Sequence, residues 1–267
     1  MKVFITGASS GIGEALATEY AIRYNNSDTI IGLVARRSEH LLKIQTSLQE
    51  TYQVKCTIYP LDVRNSAALA TASENFMQQH GTPNVVVACA GVSRGTLTEY
   101  QADIAAFQAV MDINVMGLVH TFQPFIAAMK VSAKSGETAQ LVGIASVAGI
   151  RGLPGAGAYS ASKAAAISYL ESLRVEMAAN NIAVTTIAPG YIRTPMTDVN
   201  QYKMPFLMDA NIAAAKFVNA IESKRRFVVI PWQMGWVVRL MRFVPSFLWD
   251  WAMKNAPHKP RLDWDWL

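Results

Sequence analysis

Histidine, cysteine and charge are all scarce in this 267-residue chain. The two cysteines, Cys56 and Cys89, sit in strand-like apolar runs and read as reduced, buried thiols, which excludes a disulfide scaffold. His40, His80, His120 and His258 are scattered and share no ligand spacing with the cysteines, so no metal site is suggested and each histidine reads as structural or exposed. Charged residues make up only 16% of the chain, and the net charge of +5 comes without the dense Lys/Arg runs of a nucleic-acid surface. That charge suits an anionic cofactor instead. No uncharged apolar stretch is long enough to span a bilayer, and a strand-like run at the N-terminus leaves no room for a signal peptide, so a cytoplasmic protein is expected.

What the chain has in quantity is apolar surface, at 51% hydrophobic residues, enough for one large core. Strand-like runs alternate with helical spacing along most of its length, the pattern of an α/β domain with a parallel sheet. Strands are expected at Lys2–Thr6, Thr29–Val34, Val54–Tyr59, Asn84–Ala88, Gln140–Ala145, Ile182–Ile187 and Phe227–Ile230. Helices are expected at Glu14–Arg23, Glu39–Tyr52, Ser66–His80, Ala102–Lys130 and Tyr159–Ala179, and from an Asp209 N-cap to about Lys224. Val131–Ala139 and Tyr191–Asp209 read as loops; the second, rich in Met and Pro, suits a mobile lid over an apolar substrate or a filler of core beneath it.

Two stretches carry chemistry. The first strand runs into Thr6-Gly7-Ala8-Ser9-Ser10-Gly11-Ile12-Gly13 and then a helix. Glycine lets a backbone approach a pyrophosphate closely, and the free N–H groups and dipole of a helix N-terminus favour the anion. In the second stretch a strand delivers Ser146, and a Gly/Pro-rich loop leads to Tyr159 and Lys163, four residues apart on one helical face. There an ammonium would favour a phenolate, giving a general acid or base near neutral pH.

Together these residues resemble the classical short-chain dehydrogenase/reductase family over about residues 1–231. The resemblance implies a Rossmann-like doubly wound parallel sheet of seven strands with helices on both faces. Asn114 in Ile-Asn-Val-Met-Gly matches the family's helix-borne catalytic asparagine, and with Ser146, Tyr159 and Lys163 completes its tetrad. Gly7, Ser9, Ser10, Gly11, Ile12 and Gly13 correspond to its cofactor loop, Asp62 and Val63 to adenine recognition, and Ala90 and Gly91 to close cofactor approach. Pro189, Gly190, Ile192 and Thr194 correspond to the segment that holds the nicotinamide carboxamide. Cys89 departs from the family, which usually has Asn before Ala-Gly; a thiol is a poorer hydrogen-bond group, so local rigidity is at issue there.

NAD-selective relatives carry an acidic residue at the end of the second strand, where this chain has Ala35 followed by Arg36 and Arg37. Guanidinium groups suit a 2'-phosphate, so NADP(H) is expected over NAD(H). The expected function is reduction of an apolar ketone or oxidation of a secondary alcohol by a homodimer or homotetramer. The alternatives are a 3-oxoacyl carrier-protein reductase and a non-catalytic NADP(H)-binding sensor or scaffold. Residues 232–267 stand apart as an extension that holds all six tryptophans, Trp232, Trp236, Trp249, Trp251, Trp264 and Trp266. Two short helices are expected there, Gln233–Phe243 and Ser246–Lys254. The extension reads as a pocket wall, an oligomer interface or a peripheral membrane contact.

Overall fold

A computed structural model describes residues 1–25 and 28–261. In chain order the elements begin β1 (Lys2–Thr6), α1 (Gly11–Arg23), β2 (Ile30–Ala35), α2 (Ser38–Tyr52), β3 (Lys55–Pro60), α3 (Ser66–His80) and β4 (Val85–Ala88). A long helix follows as α4 (Asp103–Met111), a π-helical turn at Asp112–Met116 and α5 (Gly117–Lys134), then β5 (Gln140–Ile144) and α6 (Gly157–Ala178). The chain continues through β6 (Ala183–Pro189), β7 (Ile192–Arg193), α7 (Pro195–Asp198), β8 (Met208–Asp209), α8 (Ala210–Glu222) and β9 (Phe227–Ile230). It ends in α9 (Trp232–Phe243) and α10 (Ser246–Met253).

Runs such as Ile-Ile-Gly-Leu-Val-Ala in β2 and Val-Val-Val-Ala in β4 are buried at every position, as strands covered on both faces must be. They form a seven-stranded parallel sheet in the order β3-β2-β1-β4-β5-β6-β9. The chain thus winds outward from β1 to one edge, returns to β4 and winds to the other. A crevice opens at the carboxyl ends of β1 and β4, where the order reverses. Each face has its own core. Leu16, Tyr20, Leu41 and Phe217 pack one side under α1, α2 and α8, while Phe76, Phe122, Phe125 and Leu170 pack the other under α3, α5 and α6.

Three expectations need correction. The segment Val131–Ala139 is not all loop, because α5 continues to Lys134: Ala133 and Met129 fall on its buried face, and that packing outweighs the polar composition of the last turn. The segment Tyr191–Asp209 is not irregular throughout. β7 and β8 pair in parallel at its base, Thr194 and Thr197 form a capping box, and Pro195 opens α7. Asp209 is the N-cap residue of α8, as expected, with its carboxylate making no capping bond and accepting instead a 2.8 Å bond from Arg193 Nε across that pair. The bilayer reading also changes, since the continuous helix Asp103–Lys134 is 32 residues long and holds an 18-residue window with a mean hydropathy of 1.3, enough by length and composition alone to cross a bilayer. Phe122, Phe125 and Met129 of this helix are fully buried, however, which makes it a core helix of this fold.

Beyond β9 the chain folds back onto the domain. Met234 and Val238 of α9 are buried, and after α10 residues 258–261 run across the loops above the sheet as a strap. Gly95 N–H donates to Pro260 O at 3.1 Å, and Lys259 Nζ donates to Met196 O at 3.1 Å. Arg261 stacks 3.8 Å over the Tyr100 ring and binds both carboxylate oxygens of buried Asp103, at 2.8 and 3.1 Å. Trp264 and Trp266 lie outside the described residues.

The Arg261 bonds, the Leu97 N–H and the Arg94 charge together hold the Asp103 carboxyl below the usual carboxylate range, against the effect of its burial. A depressed folded-state pKa stabilises the fold above the unfolded value of about 3.9, and that stability is lost as pH falls through the folded value. Asp103→Asn is therefore expected to lower the Tm at pH 7, with a deficit that shrinks as pH falls below about 4. A deficit independent of pH in thermal melts would show that the charge is not what matters.

Candidate active site

The crevice holds a cavity of about 310 Å³ that runs from the glycine turn to the ends of β5 and β6. At one end the turn after β1 brings two backbones together. Gly7 has φ of +71°, and a Cβ there would lie 2.7 Å from Ala90 Cα. At Gly13 a Cβ would lie 2.3 Å from Gly7 O. Only glycine fits at either position. α1 begins at Gly11, three residues before the expected start, so Gly11, Ile12 and Gly13 form its first turn and their N–H groups face the crevice end of the helix. The glycine turn is held from outside by Arg37, whose Nη2 donates to Ser9 Oγ at 2.9 Å and Ser10 Oγ at 2.8 Å.

Cys89 does not loosen the neighbouring strand. Thr6 Oγ1 accepts the N–H groups of Cys89 at 3.3 Å and Ala90 at 3.4 Å and donates to Val87 O at 3.4 Å. A hydroxyl on β1 thus ties β1 to β4 at the point where the thiol cannot. Burial pushes the Cys89 thiol up to about 12, so it stays protonated and unreactive at neutral pH.

Beside the turn lies a group of arginines. Arg36 sits 3.9 Å from Asp62. Arg64 clasps the same carboxylate through Nη2 at 2.8 Å and Nε at 3.1 Å, and its N–H donates to the other oxygen at 2.9 Å. Arg37 and Arg64 lie close enough to lower the Arg36 pKa, alongside the larger effect of burial. Two guanidinium groups, those of Arg36 and Arg64, therefore face one carboxylate, with the Arg37 charge close to Arg36. Arg64 was not among the residues singled out in the sequence, because its place is set by a turn that no spacing motif marks.

At the other end, Ser146 leaves β5 and its Oγ accepts the Ala148 N–H at 3.1 Å. Tyr159 lies in the first turn of α6, and the Ser146 hydroxyl is near enough to its phenol to favour the phenolate. Lys163, one turn on, lies with Nζ 5.8 Å from the Tyr159 ring centroid and donates to Ile144 O at 2.8 Å. The expected effect of Lys163 on the phenol is not the dominant one. Burial holds the Tyr159 pKa above its ordinary value, and the neighbouring Ser146 hydroxyl alone opposes this. Lys163 is itself buried and drops to about 8.

Asn114 lies within the π-helical turn that interrupts the long helix. Its Oδ1 accepts the Val92 N–H at 2.8 Å, while Nδ2 donates to Val92 O at 2.9 Å and Ser162 Oγ at 2.9 Å. The amide thus clamps the strand β4 exit to α6. A Cβ on Gly91 would stand 3.3 Å from Asn114 Oδ1 and 3.5 Å from Lys163 Nζ, so the two polar groups flank the same bare backbone.

Gly7, Ser9, Ser10, Gly11, Ile12, Gly13, Arg36, Arg37, Asp62, Val63, Ala90 and Gly91 all line the cavity, together with Ser146, Tyr159, Lys163, Pro189, Gly190, Ile192 and Thr194. Asn114 stands behind that wall, whose surface there is Val92 and Ile113. Pro195, Met196 and Thr197 of α7 line it as well; Met196 had been read in the lid, while the other two carry no motif. α9 and α10 do not line this cavity, although Met234 packs behind Gly190, where a Cβ would meet its Cγ at 2.8 Å.

Residues 1–204, which include the glycine turn and the Ser-Tyr-Lys cluster, match the family model for short chain dehydrogenases. The chain belongs to that family. It is an oxidoreductase of the short-chain dehydrogenase type, and among its curated relatives an uncharacterised oxidoreductase of Myxococcus xanthus is 34% identical over 94% of this chain and 95% of that protein. An 11-beta-hydroxysteroid dehydrogenase-like protein of Arabidopsis thaliana is 30% identical, over 92% of this chain and 78% of that one. Among solved structures, a short-chain dehydrogenase/reductase of Burkholderia phymatum in complex with NAD has a TM-score of 0.77 at 24% identity, covering 98% of both chains. That likeness bears on the fold.

Gly13→Ala is expected to cost about 1–3 kcal/mol, because a methyl group there must displace the Gly7 carbonyl from the turn. The urea midpoint measures this; an unchanged midpoint would mean that the turn relaxes freely.

Proposed function

We propose that the protein is an NADP(H)-dependent carbonyl reductase and alcohol dehydrogenase acting on an apolar ketone or secondary alcohol. The observation that carries this reading is the single cavity that joins a backbone cradle for a pyrophosphate to the Ser146-Tyr159-Lys163 cluster. A nicotinamide cofactor fits the cradle, since Gly7 and Gly13 leave room only for backbone and the first N–H groups of α1 offer donors to phosphate. When bound it supplies or accepts the hydride.

The protein's own groups do the rest. Ser146 and Tyr159 hold the substrate oxygen, and in the direction of reduction Tyr159 donates its phenolic proton to the developing alkoxide. A phenol raised by burial is protonated across the neutral range and suits the acid role. Lys163 holds positive charge beneath the phenol and offers Nζ to the ribose. Asn114 keeps the β4 exit and α6 in register, and its remaining Oδ1 lone pair is placed for a water that links Lys163 to solvent. Arg36 and Arg64 favour a 2'-phosphate over a bare ribose hydroxyl, while Asp62 and Val63 stand where the adenine would lie. Met196 and the apolar wall of α7 support an apolar substrate, and the steroid-related name of the Arabidopsis relative points the same way. Ile104, Phe107 and Met116 on the long helix and Val175 on α6 are exposed apolar residues that support pairing of two copies through these helices.

Tyr159→Phe is expected to reduce kcat on apolar ketones by at least about a thousandfold while leaving NADPH affinity intact; retained turnover would remove Tyr159 as the acid. Because Lys163 loses its charge above about 8, kcat/KM for reduction is expected to hold at neutral pH and fall through that value. An Arg36→Ala variant is expected to bind NADPH at least about tenfold more weakly with NADH unchanged. Equal loss for both cofactors in a fluorescence titration would put the arginine elsewhere.

A further inference from the structure

Eight large apolar residues between Trp232 and Trp251 are exposed, a density found nowhere else among the described residues. α9 is apolar on two opposite sides. Met234 and Val238 are buried on one, and at 100° per residue Trp232, Trp236 and Phe243 fall together on the other, 69, 59 and 83% exposed. A surface helix needs only the first of these stripes. No residue of α10 is buried, and its Phe247 and Trp251, one turn apart, are 70 and 80% exposed. Contiguous apolar surface of this kind marks an interaction site.

We propose that the outer faces of α9 and α10 dock this protein onto an anionic lipid bilayer. The charge and composition of the patch select that occupant. Arg239 and Arg242 lie along one flank of the α9 stripe, Lys254 follows α10, and Asp250 is the one acidic residue between Trp232 and Lys254. The Arg239 guanidinium lies 5.2 Å from the Trp236 ring centroid, so a cation sits beside an exposed indole. Indole rings favour the bilayer interface, and arginine stems can lie along apolar surface while their heads reach lipid phosphates. A second copy fits the patch less well, because a two-fold contact would bring the same arginines toward one another with few acidic partners.

The surface is also tied to the active-site loops. Arg151, between Ser146 and Tyr159, donates Nη1 to Val244 O at 3.0 Å and lies 4.7 Å over the Trp249 ring, at the joint of α9 and α10. Docking would therefore hold the loop between the two reactive side chains near the membrane. The proposal concerns the surface alone and stands or falls apart from the cofactor and substrate assigned above.

The test is co-sedimentation of the full chain with phosphatidylcholine vesicles, with and without about 30 mol% phosphatidylglycerol, at low salt and at about 0.5 M salt. Binding to the anionic vesicles is expected to exceed that to the neutral ones by at least about tenfold and to weaken with salt. A Trp236→Ser/Phe243→Ser/Trp251→Ser triple variant, with native circular dichroism and Tm, is expected to lose at least about a hundredfold in partitioning. Arg239→Gln/Arg242→Gln is expected to lose about tenfold or more on the anionic vesicles only. No binding by the natural chain, or equal binding by the folded triple variant, would overturn the proposal. So would a dimer in lipid-free solution that the triple variant converts to monomer, since a second copy would then cover the face.

Discussion

The whole site depends on how closely two backbones approach where the order of strands reverses. β1 and β4 are neighbours in the sheet, but the chain leaves them toward opposite edges, and the crevice between their carboxyl ends exists because Gly7 passes against Ala90 with no side chain between them. The Thr6 hydroxyl fastens the same junction by bonds to Cys89, Ala90 and Val87. From there the first turn of α1 is aimed at one end of the cavity, and β5 carries Ser146 to the other. A side chain at Gly7 or Gly13 would push these parts away from one another, so a very local steric condition controls a cavity that spans half the sheet.

Electrostatics divides that cavity into two unlike ends. At the glycine turn, cations outnumber anions: Arg36 and Arg64 flank Asp62 and Arg37 holds Ser9 and Ser10 beside them, and they remain charged because guanidinium groups hold their protons at any physiological pH. At the Ser-Tyr-Lys end the titratable groups are desolvated, and burial shifts each toward its neutral form, raising Tyr159 and lowering Lys163 to about 8. One end is built to hold a fixed negative charge. The other keeps a proton available for transfer.

The C-terminal segment links these parts to the outside. Its strap crosses the loop after β4, the loop before α6 and the start of α7, through Gly95, Gly155 and Met196, and Arg261 anchors it on buried Asp103. Ahead of the strap, α9 covers β9 with one face and leaves an aromatic face outside. Substrate-side loops, strap and exposed helices thus form one connected structure, in which Arg151 joins the outer helices to the loop between Ser146 and Tyr159.

Much of this was legible from local pattern alone. Apolar runs of four to six residues alternating with helical spacing located all seven strands of the main sheet, since strand and helix periodicities are properties of neighbouring residues. Glycine spacing in Thr6–Gly13 and the four-residue step from Tyr159 to Lys163 marked both ends of the cavity for the same reason. Boundaries were less legible. Val131–Lys134 joined a helix because Ala133 found a core to pack against, and the lid segment acquired a base because Ile192 met Met208 sixteen residues later.

Long-range placement was decided by tertiary structure alone. Residues that combine over such distances include Arg64 with Arg36, Thr6 with Cys89, and Arg261 with Asp103, 158 positions apart. Burial decided the protonation tendencies too, reversing the simple expectation that an ammonium one turn away would lower the Tyr159 pKa. The sequence by itself determined which elements form and which chemical groups they carry. Only the fold decided which groups meet, how far each is removed from water and which faces are left uncovered, because desolvation and contact depend on neighbours that no local spacing records.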